Sequence, residues 1–244
     1  MQTTHRRIAL TGLLLAAAGL VFTLGAVAAD EPAARSTDNQ LTPQEKADGW
    51  VLLFDGKGTA GWMAGDKPLP AANVQEGAIN PHDSGAYVSH YKEKFGDFVL
   101  SCDYKVSRGA NSGIFFRVAD LKDPVQTGFE LQVYDSGSRP NPGRNGNGAI
   151  YDAQAPSSNP ARPAGQWNHV ELTADRNILK VALNGQQVVE MDLDRWTTPR
   201  KNPDGSENKF AKALKDFPRT GYVGLQDHGH DVWYKNIKIK PLRR

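Results

Sequence analysis

From Asp48 onward the apolar residues of this chain recur at every second position, in short runs closed by Gly, Pro, Asn and Asp. That period belongs to pleated strands with one buried face; a helix would need an apolar stripe at every third and fourth position. Strand-like runs return every eight to twelve residues, and no long amphipathic helix, heptad or internal repeat interrupts them. The pattern predicts an all-β fold of one domain, a sandwich or jelly roll. Only Lys209–Asp216 reads as a helical turn or two.

Order is expected to start with the strand Asp48–Phe54 and its turn at Asp55–Gly58. Short strands follow at Asn73–Ile79 and Ala86–Ser89. Asp97–Ser107 is the cleanest strand, with Phe98, Leu100, Cys102, Tyr104 and Val106 on one face. Cys102 is the single cysteine, so no internal disulfide forms, and its face makes it a buried, inert thiol. A long Gly/Pro/Asn-rich loop spans Ser136–Ala164, a length that points to function or mobility. Strand patterning resumes in Trp167–Ala174 and Ile178–Val189, where Asn184-Gly185 signals a type I′ hairpin. Val223–His228 and Val232–Lys240 close the chain.

Chemistry gathers on the polar side of three of these runs. In Ile114–Val118, alternation sets Ile114, Phe116 and Val118 against Phe115 and Arg117. In Phe129–Tyr134, Phe129, Leu131 and Val133 form the apolar face, and Glu130, Gln132 and Tyr134 stand opposite. In the last of the three, Val223 and Leu225 face inward, leaving Tyr222, Gln226 and His228 on the other side. A solvated outer face is the ordinary reading of such positions. A guanidinium, a carboxylate, amides, an imidazole and aromatic rings on one surface are also what grips a polyhydroxylated ligand. Arg117 and Glu130 could instead form a structural pair across neighbouring strands. Asp135 is as much a turn former as a sugar ligand, and Tyr151 either stacks on sugar or plugs the long loop. His228 and His230 are two apart, so a divalent metal stays open, although no third ligand is legible. No other cofactor is indicated.

The chain opens with a basic start at His5, Arg6 and Arg7, an apolar run from Ile8 to Val27, and small residues at Ala26–Ala29. This order is that of an export signal spanning 1–29, removed to leave a protein outside the cytoplasm, periplasmic or extracellular, with no membrane anchor. Residues 30–47 are polar and read as a flexible linker, and 48–244 as the domain. The formal net charge is +2, with 29 Lys and Arg against 27 Asp and Glu. Arg6 and Arg7 leave with the signal, so the mature chain is balanced and has no basic surplus for nucleic acid.

The runs Gly49–Gly56, Phe95–Phe98, Asn111–Arg117, Gly128–Asp135, Gly148–Tyr151, Trp167–Asn168 and Gly221–Gly229 occur in an order that resembles the 3-keto-disaccharide hydrolase domain family. The likeness runs from about Asp48 to Leu242. It implies a concanavalin A-like jelly roll that binds glycans on one sheet. It also implies a small carbohydrate substrate already oxidised at C3 by a partner sugar 3-dehydrogenase. A C3 ketone acidifies the C2 proton, so a base can remove it, the C1 substituent can leave, and water can add back. Such a route needs a base, a donor for the ketone oxygen and an acid. On the residues that alternation selects, His228 and Glu130 are the acid–base candidates and Arg117 the electrostatic clamp. Gln132, Asp135, Tyr151 and Gln226 are the remaining substrate-binding candidates. A noncatalytic carbohydrate-binding module and an interaction domain of the cell envelope are the competing readings.

Overall fold

A computed structural model describes residues 37–137 and 139–242. The expected export signal lies outside the described residues. The linker expectation is corrected for the part that is described. Residues 43–47 form a short helix, α1 (Pro43–Ala47), closed by a capping box in which Thr42 and Glu45 satisfy each other's backbone N–H groups. Ahead of it, Asn39 is buried and exchanges side-chain-to-backbone hydrogen bonds with Asn236 at 2.5 and 2.8 Å.

The strands, in chain order, are β1 (Val51–Leu52), β2 (Trp62–Ala64), β3 (Lys67–Pro68), β4 (Val74–Gln75), β5 (Ala78–Ile79), β6 (Val88–Phe95), β7 (Phe98–Val106), β8 (Asn111–Val118), β9 (Phe129–Tyr134), β10 (Asn168–Asp175), β11 (Ile178–Leu183), β12 (Gln186–Asp192), β13 (Gly221–Gln226) and β14 (Val232–Pro241). They make two antiparallel sheets. One runs β12-β11-β10-β7-β14-β5-β4, with β1 also paired to β14; the other runs β3-β2-β6-β13-β8-β9. This is the all-β sandwich that the alternation predicts. A four-residue helix, α2 (Pro124–Thr127), precedes β9. The expected helix at Lys209–Asp216 shrinks to a single 3-10 turn at Leu214–Asp216.

The core lies between the sheets. Ile114, Phe116, Phe129, Leu131, Val133, Val223 and Leu225 meet Leu100, Cys102, Tyr104, Val170, Leu172, Val181, Tyr234 and Ile239, all essentially inaccessible to water. Burial pushes the Cys102 thiol far above its ordinary value, so it stays an inert thiol. An aromatic chain crosses this core and leaves it at one side. Phe116 stacks on Phe129 at 5.4 Å, Phe129 meets Phe217 at 5.3 Å, and Phe217 meets Phe210 at 5.6 Å. The irregular segment between β12 and β13 is thereby pinned to the second sheet. Asn184 and Gly185, with φ of 50° and 82°, form the hairpin turn between β11 and β12.

One irregularity matters for the site. Tyr222 pairs with Val118 and Gly224 with Phe115, so Phe116 and Arg117 together oppose Val223. This is a β-bulge, and Arg117 adopts φ 51° within it. Strict alternation therefore fails after Phe116. Val118 joins Phe115 on the outer face, and Arg117 leaves that face altogether.

Candidate active site

The outer face of the second sheet, turned away from the core, carries the polar residues that alternation selects on β9 and β13. Register aligns them. Phe115 pairs with both Gly224 and Glu130, and Gly113 pairs with Gln132. Glu130 bends back over Gly113: a Cβ there would stand 2.5 Å from Glu130 Oε1. The residue is glycine because the carboxylate occupies the space.

The long loop after β9 explains itself here. Gly148 and Ala149 exchange backbone hydrogen bonds with Gln132, and Tyr151 N–H donates to the Glu130 carbonyl at 2.9 Å. The segment runs as an extra edge beside β9 and delivers Tyr151 to the Glu130 side chain. Lys209 arrives from the segment between β12 and β13. Its Nζ lies 3.9 Å from Glu130 Oε2 and 3.8 Å from the centre of the Tyr151 ring. Tyr87, just before β6, packs edge-on against Phe115, and its hydroxyl accepts from Gln226 Nε2 at 2.6 Å. Gln132 Nε2 donates to Asn111 Oδ1 at 2.6 Å. The carbonyl oxygens Gln132 Oε1 and Gln226 Oε1 are buried and, among the described residues, have no hydrogen-bond partner. Buried acceptors of this kind are uncommon, and two of them lie on the same sheet face as Glu130. Phe115, Val125, Glu130, Tyr151, Lys209 and Phe210 close together around a small hollow on this face.

The electrostatics single out Glu130. It is 7 % exposed. Burial pushes its carboxyl up to about 7, and the Lys209 charge and a hydrogen bond from Gln226 offset only part of that. Burial likewise pulls the Lys209 ammonium below its usual range, against the pull of Glu130 and Asp152. For both members of the pair, loss of water outweighs their attraction. Burial raises the Tyr87 hydroxyl, and the Glu130 charge adds to this.

Of the seven residues expected in the site, Glu130, Gln132, Tyr151 and Gln226 come together. Arg117, expected as the clamp on this face, is instead fully buried beneath the bulge. Its Nε donates to the Gly96 carbonyl at 3.1 Å, one terminal nitrogen to the Arg176 carbonyl at 2.8 Å, and the other to Asp97 Oδ1 at 2.9 Å. It joins the β6–β7 and β10–β11 turns. The anticipated cross-strand pair with Glu130 is replaced by this pair with Asp97. Asp135 sits at the strand end and accepts from the N–H groups of Gly109 and Gly137, at 2.8 and 3.2 Å, which is turn chemistry. His228 lies beyond β13, which stops at Gln226, so alternation does not reach it. It is exposed, with its ring 6.5 Å from that of His230. Asp227, one residue earlier, anchors this turn through His82 and the N–H groups of Asp83 and Gly229. Among the described residues, no three His, Cys, Asp or Glu side chains converge as a metal site.

Tyr87 and Lys209 are the residues that sequence reasoning missed. Tyr87 falls inside the expected strand Ala86–Ser89, but nothing local shows that it leans toward Gln226. Lys209 lies 79 residues from Glu130 in an irregular segment, and no periodicity connects them. His90 is also buried on this face, edge-on to Tyr222 at 5.0 Å, with Nδ1 unpartnered among the described residues.

The fold is thus a two-sheet antiparallel sandwich that carries, on the outer face of one sheet, a buried carboxyl, a neighbouring lysine and two amides. The chain belongs to the 3-keto-alpha-glucoside-1,2-lyase-like domain family, whose pattern it matches over residues 49–240. It is 29% identical over 230 residues to a Bacteroides thetaiotaomicron protein named 3-keto-disaccharide hydrolase, covering 80% of this chain and 79% of that one. Two solved structures of presumed glycosyl hydrolases from Parabacteroides distasonis share the fold. One is 28% identical with a TM-score of 0.65 over 79% of this chain and 99% of the other. The second is 27% identical with a TM-score of 0.68 over 85% of this chain and all of the other.

Proposed function

We propose that this protein is an exported carbohydrate hydrolase that cleaves 3-keto-glycosides, disaccharides or glucosides, by removal of the C2 proton, elimination of the C1 substituent and addition of water. Family membership and the name of the Bacteroides relative support the substrate class. The observation that carries the chemistry is Glu130, a single buried carboxyl titrating near neutrality beside two unpartnered amide oxygens. A general base works best when its pKa lies near the working pH. Ordinary glycosidases instead flank the bond with two carboxylates. The other acid in this group, Asp152, accepts from the Lys209 backbone N–H at 2.7 Å.

In this reading the Gln132 and Gln226 amide oxygens accept hydrogen bonds from sugar hydroxyl groups, Tyr151 and Tyr87 wall the ring, and Glu130 takes the proton from C2. The electron pair then expels the C1 oxygen, and water adds across the resulting double bond. A C3 ketone is not a feature of ordinary glycosides, so a sugar 3-dehydrogenase must act first. The test is incubation of the purified protein with a 3-keto-glucoside and, separately, with its unoxidised parent. Release of the aglycone from the oxidised sugar alone is expected. Equal cleavage of the parent would point to an ordinary glycosidase, and binding of either sugar without cleavage to a carbohydrate-binding module.

A further inference from the structure

Lys209 is held by more contacts than a surface lysine on an irregular segment requires. Its N–H donates to Asp152 Oδ2 at 2.7 Å, and its carbonyl accepts from Gln126 Nε2 at 3.0 Å. Gln126 Oε1 in turn accepts from Ala211 N–H at 2.8 Å, so one amide of α2 clamps the backbone on both sides of Phe210, directly after the lysine. Phe210, the next residue, is buried against Phe217 at the end of the aromatic chain. Asp152 is itself held at φ 59°, a left-handed conformation that a non-glycine residue keeps only where its surroundings enforce it. Its N–H donates to the Arg144 carbonyl at 2.9 Å and its carbonyl accepts from Asn202 Nδ2 at 3.3 Å.

What is being aimed is the ammonium group. Its Nζ stands 3.9 Å from Glu130 Oε2, too far for a hydrogen bond, and among the described residues Nζ makes none. Its donors are free for a ligand, and the Tyr151 face steadies the charge from one side. We infer that Lys209 is a catalytic residue that receives the negative charge developing on the substrate's C3 oxygen, and that Gln126 and Asp152 are the positioning residues that aim it. This rests on the reading of the substrate as a 3-keto-glycoside. The oxygen on C3 is two bonds from C2, so a base on the C2 hydrogen and a cation on that oxygen must be close neighbours, as Glu130 and Lys209 are.

The step balances. The C2–H pair moves into the C2–C3 bond as the proton passes to Glu130, and the C3 oxygen takes up negative charge facing the Lys209 ammonium. The pair then returns from oxygen to reform the ketone while C1=C2 forms and the C1–O bond breaks. The departing oxygen takes its proton from Glu130 or water.

A bland alternative makes Lys209 only the counter-charge of Glu130, and pH separates the two. The titratable groups that interact with this pair are Tyr87, Tyr151, Asp152 and, on the core side, Tyr234. The test is the pH profile of kcat on a 3-keto-glucoside for the wild type, Lys209→Met and Gln126→Ala, each checked for folding by thermal unfolding. If Lys209 were only a counter-charge, its loss would raise the Glu130 pKa, shift the rising limb to higher pH and leave the plateau intact. The inference predicts that Lys209→Met lowers the plateau itself about a hundredfold or more, the scale of losing one oxyanion donor. Gln126→Ala should lower the plateau by a smaller factor with KM little changed. Recovery of the wild-type plateau by Lys209→Met at high pH would overturn the inference and leave the substrate reading standing. A wild type inert on every 3-keto-glycoside would overturn both. Should Lys209→Met fail to fold, Lys209→Arg, which keeps the charge but displaces the donors, must still lower the plateau.

Discussion

Replacing Glu130 by Gln should abolish activity and, at alkaline pH, make the protein more stable. In the fold its carboxyl titrates at about 7 against an ordinary value of 4.5, because burial penalises the charged form. Between those values the folded protein holds the proton more tightly than the unfolded chain does, so stability falls as pH rises. The contribution is fully present below about 4.5 and is lost as pH passes about 7. At ~1.4 kcal/mol for each tenfold difference in proton affinity, the gap corresponds to about 3 kcal/mol. Gln has nearly the shape of the neutral acid and does not ionise, so it escapes that loss. Lys209 lacks a charged partner in the variant just as it does in the protonated wild type, and its attraction is already contained in the value of about 7. Urea unfolding of both proteins across about pH 5 to 9 measures the difference. It should be small at the acid end, grow toward neutrality and level off at about 3 kcal/mol in favour of the variant. Parallel stability curves would show that Glu130 is not a carboxyl held near neutrality by burial, and the argument for it as the base would fail.

Further outcomes follow from the same geometry. Gly113→Ala puts a methyl where Glu130 Oε1 lies, so kcat should drop at least tenfold while the thermal unfolding midpoint falls only modestly; an unchanged kcat would show that the carboxylate need not sit over Gly113. Arg117→Ala removes a fully buried guanidinium that joins two turns, and should cost about 3–5 kcal/mol in chemical denaturation; near-normal stability with lost activity would return Arg117 to the site. His228→Ala should change kcat on a 3-keto-glucoside by less than about tenfold, below the usual scale of losing an acid–base group, and a larger loss would bring this exposed turn residue back into the chemistry.

Much of the fold could be read from side-chain period, because an antiparallel sandwich buries one face of each strand and exposes the other. Phe129, Leu131, Val133, Val223 and Leu225 reach the core as alternation requires, and Glu130, Gln132 and Gln226 reach the opposite face. Alternation assumes an uninterrupted pleat, and the two misplaced residues lie where that assumption ends. The bulge at Phe116–Arg117 inserts one residue against Val223 and swings Arg117 under the sheet. His228 lies two residues past the end of β13. The helix at Pro43–Ala47 was legible in Thr42-Pro43-Gln44-Glu45, a capping box with proline at the first helical position, but the polarity around it read as linker. Lys209 is a different matter. Its meeting with Glu130 depends on Phe210 docking in the core and on Gln126 and Asp152 bracketing the backbone. Such long-range closure leaves no local pattern in the sequence.

The most direct test of the account follows the C2 hydrogen. The wild type and Glu130→Gln are incubated in heavy water with a 3-keto-glucoside carrying ordinary hydrogen at C2, and the released 3-keto sugar is examined by NMR before spontaneous exchange becomes significant. If Glu130 removes the C2 proton and water then adds across the double bond, the wild-type product carries deuterium at C2 and the variant forms almost none of this product. Rapid release of a product that keeps its original C2 hydrogen, at similar rates from both proteins, would mean that the C1–O bond breaks without ionisation at C2 and would contradict the account.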